Sequence, residues 1–220
     1  MPRPTTDVAV LDGPIEPADS AGGNSRLTAA TGLVMVVLLA VEAVTLLAIR
    51  QMLTVHVIVG ALLIGPVVLK SGSTIYRFTR YYTGAPVYRK KGPPALPLRL
   101  IGPLLILAAL AVLATGVALV VVGPSGSGLL LTAHQAGFWI FIGLLAIHLL
   151  GRLWEAAVLS WQEVRESLSG PEARQRRWRY GAIAMALVVG VGVATLVVPS
   201  TSPWTARPAG HSAPRTDARP

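Results

Sequence analysis

Long unbroken apolar runs, separated by short polar stretches, dominate the chain. Five reach the roughly 20 residues that an α-helix needs to cross a bilayer. They run from about Leu27 to Ile49, Met52 to Lys70 or beyond, Leu98 to Val122, Leu129 to Leu150, and Tyr180 to Val198. The runs lack the strict alternation of an outer-membrane barrel and are too long for strands. Closed helices are the remaining way to satisfy backbone polar groups in lipid. The pattern predicts an all-α integral membrane protein with five transmembrane helices.

Composition supports this. Of 220 residues, 53% are hydrophobic and 13% charged, against roughly 25% charged in a soluble domain. The chain has no cysteine, which excludes disulfides, iron–sulfur clusters and covalently attached haem. The formal charge is +9. In a membrane chain that excess marks loops on the cytoplasmic side and implies no nucleic-acid partner.

The loops are asymmetric. Arg77, Arg80, Arg89, Lys90 and Lys91 lie between the second and third spans, with no acid among them. Arg152, Arg165, Arg174, Arg176, Arg177 and Arg179 lie between the fourth and fifth, mixed with Glu. The opposite loops carry only Arg50 on one and no charge on the other. The positive-inside rule therefore predicts a multi-pass cell-membrane protein with a cytoplasmic N-terminus and an extracytoplasmic C-terminus. Residues 1–25 and 199–220, rich in Pro, Gly, Ser, Thr and Asp, read as disordered tails. Residues 154–168 have an amphipathic pattern that either continues the fourth helix or lies along the interface.

Ionisable residues within spans are expensive and so mark function. Three of the four histidines, His56, His134 and His148, fall within spans. His56 and His134 each sit about one and a half turns inside the same end of two spans running in one direction, which predicts equal depth. His148 follows His134 by 14 residues. That spacing is about 40° short of four turns and about 21 Å of rise, so both imidazoles share a face near opposite membrane surfaces. Imidazole is a common axial ligand of haem, and facing helices can supply both ligands. Gly60, Gly116 and Gly137 lie at the level of His56 and His134, where they give room for a macrocycle or serve ordinary helix packing. Glu42, about two turns inside the first span, is a candidate proton relay or an interhelical hydrogen-bonding group.

Histidines 13 or 14 apart on each of two helices are the mark of di-haem membrane cytochromes b. Residues 50–155 resemble this group, which includes the cytochrome b561-like and ferric-reductase-like four-helix proteins. His134 and His148 match one helix of that pattern. On the other, His56 matches and Lys70 stands where a fourth histidine would be. The resemblance implies a four-helix haem-binding bundle plus one further span, with haem b held by His56 and His134 and His148 at a half-built inner level where a second haem is possible. It implies electron transfer between membrane quinone and a separate oxidoreductase subunit. A haem-free membrane anchor or assembly subunit, and a small proton-coupled transporter, are the alternatives. No G-x-G-x-x-G fingerprint is present, so the chain brings no flavin or nicotinamide domain of its own.

Overall fold

A computed structural model describes residues 20–90, 96–165 and 170–206. The helices are α1 (Ser20–Leu47), α2 (Ile49–Tyr82), α3 (Pro86–Lys90), α4 (Leu96–Val122), α5 (Gly128–Arg165), α6 (Gly170–Val197) and α7 (Ser202–Thr205). Short 3-10 turns span Pro124–Gly126 and Val198–Thr201. Among the described residues there is no strand. α1, α2, α4, α5 and α6 are long and apolar enough to cross a membrane, as the hydrophobic pattern predicts.

The outward faces of these helices fit lipid. Leu47 is 86% exposed, Leu129 87% and Leu150 91%, and many Val and Leu side chains along α4 and α6 are also exposed. Water would not tolerate so continuous an apolar surface, whereas hydrocarbon does. The protein is an all-α membrane protein.

The helices extend past the hydropathic runs. α1 begins at Ser20, inside the stretch expected to be a tail, and residues 1–19 lie outside the described part. α2 continues twelve residues beyond Lys70, to Tyr82. α5 runs unbroken through Arg165, so the amphipathic segment continues the fourth helix as far as it is described. Near its end, the Arg165 guanidinium lies 4.6 Å from the centre of the Trp161 ring, a cation–π contact of interfacial type. The expected C-terminal tail is corrected in part: Val198–Thr205 is helical, and residues 207–220 lie outside the described part.

α1, α2, α4 and α5 form a ring in which each packs on its two neighbours, and α2 and α5 face each other across it. α6 packs outside this ring, against α2. Without a hydrophobic force between helices in lipid, such close packing depends on small residues. A Cβ on Gly190 would lie 2.7 Å from Leu62 Cα, and one on Gly65 would run into the Ala186 carbonyl. These two glycines set the α2–α6 approach.

The ends of the bundle differ. At the hairpin end, Ala48 alone separates α1 from α2, and Gly123, at φ 78°, turns the chain out of α4. The other end carries the basic loops. There Asn24 and Thr28 of α1 bond to Ser73 of α2: Asn24 Nδ2 donates to the Ser73 carbonyl (3.2 Å), and the Thr28 and Ser73 hydroxyls are 2.9 Å apart. Arg99 of α4 donates to the Tyr82 hydroxyl of α2.

Candidate functional site

The ring topology brings His56 of α2 and His134 of α5 together across the bundle near the hairpin end. Their ring centres are 6.5 Å apart and the rings are nearly perpendicular, at 89°. Both rings are partly buried.

Each ring is held through Nδ1 by a neighbouring helix. Glu42 and Thr45, three residues apart and so on one face of α1, both reach His56. Glu42 Oε1 and Thr45 Oγ1 are each 3.0 Å from its Nδ1. The Thr45 hydroxyl proton is committed to the Glu42 carbonyl at 2.6 Å, so that hydroxyl accepts from the ring. On the other side of the bundle, α4 holds His134. Its Nδ1 is 3.1 Å from the Val112 carbonyl and 3.1 Å from Thr115 Oγ1. A carbonyl can only accept, so Nδ1 of His134 carries the proton. Both rings thus take the Nδ1–H tautomer, which leaves the lone pair on Nε2. Metal-binding histidines are oriented in this way, one nitrogen anchored to a carboxylate or carbonyl and the other free to ligate.

A cavity of about 610 Å³ contains both rings. Its walls are mainly apolar, including Leu39, Leu113 and Phe138, with Gly60 and Gly116 among the lining residues. The two glycines have identifiable neighbours. A Cβ on Gly60 would lie 3.5 Å from Glu42 Oε1, and one on Gly116 would lie 3.1 Å from His134 Cε1. They make room for the imidazole and its carboxylate partner as well as for the cavity. Gly137 is not on the cavity wall; a Cβ there would meet Val112 Cγ2 at 3.3 Å, so it sets the α4–α5 packing. Val67, Ala109 and Phe141 cluster as the apolar floor. Phe138 and Trp139 both contribute to the cavity wall, and much of the Trp139 side chain is exposed.

The basic-end level is built otherwise. His148 is half-buried on α5 and does not line the cavity. Lys70 turns toward α1, where Nζ donates to the Thr28 carbonyl at 2.9 Å. Gly32 gives the ammonium its space, since a Cβ there would lie 2.9 Å from Nζ.

The donor set can be tested against haem. Among the described residues no group of three or more His, Cys, Asp or Glu could cage a metal ion. Two facing imidazoles suit a group that brings its remaining ligands with it, as haem does. A metal–imidazole bond is about 2.0–2.1 Å. Two such bonds, with each nitrogen's distance to its ring centre added, span about 6 Å, near the 6.5 Å between the ring centres. The cavity also holds two buried polar atoms, Glu42 Oε2 and Trp204 Nε1, that have no hydrogen-bond partner among the described residues. An apolar cavity with anchored imidazoles and leftover polar atoms fits a largely apolar ligand with polar groups at its rim.

The equal depth of His56 and His134 is legible in the sequence. The anchoring groups Thr45, Val112 and Thr115, and the cavity residue Trp204, were not among the expected site residues. Glu42 was expected as a proton relay or interhelical bond, and it is found against His56. No local motif marks these groups, because each acts across a helix–helix contact. Searches against family models, curated proteins and solved structures found no match to this chain.

Proposed function

We propose that the chain is an integral-membrane b-type cytochrome, an electron carrier between membrane quinone and a separate oxidoreductase subunit. The observation that carries this reading is the pair of imidazoles, each anchored through Nδ1, facing across one cavity at 6.5 Å. His56 and His134 would hold the haem. When bound, it supplies one-electron chemistry, and two imidazole ligands favour electron transfer over oxygen binding.

The chain's own residues do the rest. Glu42 and Thr45 orient His56, and Val112 and Thr115 orient His134, so that neither ring must reorganise on binding. The apolar wall keeps water from the site, and the Val67–Ala109–Phe141 floor closes it from below. Protein purified in detergent should show a dithionite-reduced α-band of low-spin haem b. A preparation that inserts and folds but takes up no haem would reject the reading.

The orientation belongs to the same proposal. Loop charge supports a cytoplasmic N-terminus, and with it a His56–His134 level toward the extracytoplasmic face. A reporter fused after Gly126 should then behave as extracytoplasmic and one after Lys91 as cytoplasmic. The opposite pattern would invert the depth assignment.

A further inference from the structure

The segment after α6 folds back over the hairpin end of the cavity. Its 3-10 turn packs against α2, α4 and α6, and Val197, Thr201 and Trp204 form part of the cavity wall. The hydroxyls of this segment are satisfied locally. Thr201 Oγ1 donates to the Val198 carbonyl at 2.8 Å, and Ser202 and Thr205 bond to the carbonyls of Pro199 and Ser202. Trp204 differs, because its Nε1 is buried and has no acceptor among the described residues.

An indole N–H can only donate, and a buried donor left unpaired is costly. An acceptor entering the cavity would satisfy it. Haem carries two carboxylates. As charges they avoid the bilayer centre, so they would lie toward the end of the cavity nearest water. That is the end where His56 and His134 sit and where α7 closes over the opening.

We propose that Trp204 donates a hydrogen bond to a carboxylate of the bound cofactor, and that residues 197–205 form the cap that retains it. This rests on the haem reading above. A quinone oxygen offers the same acceptor chemistry, and the experiment separates the two sources.

The full-length protein in detergent, stripped of cofactor, is reloaded with haem b or with haem b dimethyl ester, whose carboxylates are blocked. Transfer to an excess of a haem-scavenging protein gives the rate of loss. The wild type should lose the ester about tenfold faster than haem b, the scale of one hydrogen bond to a charged group. Trp204→Phe should lose haem b about tenfold faster than the wild type, yet lose the ester at the wild-type rate. A wild type that keeps both forms equally would overturn the proposal without needing the variant. So would a Phe variant that loses both forms faster by the same factor, which would make Trp204 an apolar cover. Equal retention of both forms, with a quinone analogue weakened in Trp204→Phe, would assign the N–H to a quinone oxygen and overturn it too. A wild type that takes up no haem removes the underlying reading, and this inference with it.

Discussion

Near the hairpin end, α2 and α5 each present an imidazole to a shared cavity. Near the basic end, the same two helices carry Lys70 and His148, and the cavity does not reach them. Both pairs occupy corresponding positions, since each second member follows the first by 14 residues. The difference lies in which helix the side chains serve. His56 takes its anchors from α1 through Nδ1, and its side chain lines the cavity. Lys70 spends its charge on the α1 backbone at Thr28, beside the Asn24–Thr28–Ser73 bonds, and so ties α1 to α2. One level encloses a cavity between two anchored imidazoles, and the other is arranged as a clasp. A matching helical period therefore places residues at comparable positions without giving them the same task.

The most severe way to break this comparison is to remove the ligands. Either His56→Ala or His134→Ala should abolish the reduced haem α-band while the protein still inserts. His148→Ala and Lys70→Met should leave haem content unchanged. Lys70→Met should instead lower thermal stability by the scale of a charge-assisted hydrogen bond, on the order of 1–3 kcal/mol. Haem loss in the basic-end variants equal to that in the hairpin-end variants would erase the distinction between the two levels.

A smaller effect sharpens it. Glu42 meets His56 at Nδ1 and positions the ring. Glu42→Gln keeps the side-chain size and removes the carboxylate. It should weaken haem affinity by roughly 10–100-fold, the range for losing such a partner, and shift the midpoint potential upward. Glu42→Asp should recover part of both, which a purely structural role in helix packing would not predict. An unchanged potential and affinity in Glu42→Gln would leave Thr45 as the working anchor of His56.

Much of the architecture is legible in the sequence, because lipid permits few solutions. Apolar runs of bilayer length fix the number of spans, and helix rise fixes the common depth of His56 and His134. Helix ends are not legible in the same way. Hydropathy marks the thickness of the hydrocarbon, whereas the backbone stays helical through the interface, as α2 does to Tyr82 and α5 to Arg165. Neighbour order is also invisible to periodicity. Nothing local to His134 announces that Val112 and Thr115 will hold it, because the α4–α5 contact decides that. The Pro, Ser and Thr of residues 198–205 read as a tail by composition. Packed against α2, α4 and α6 they form helical turns over the cavity, and Trp204 becomes part of its wall.

On the proposed function, one level of this bundle holds haem and the other does not. The haem-to-chain ratio of purified wild-type protein, taken from the pyridine haemochromogen spectrum and a protein assay, tests it most directly. The account predicts one haem per chain, since only the His56–His134 level has both anchored imidazoles and a cavity. No haem would contradict the functional reading, and two per chain would contradict the clasp at Lys70 and return His148 to the ligand set.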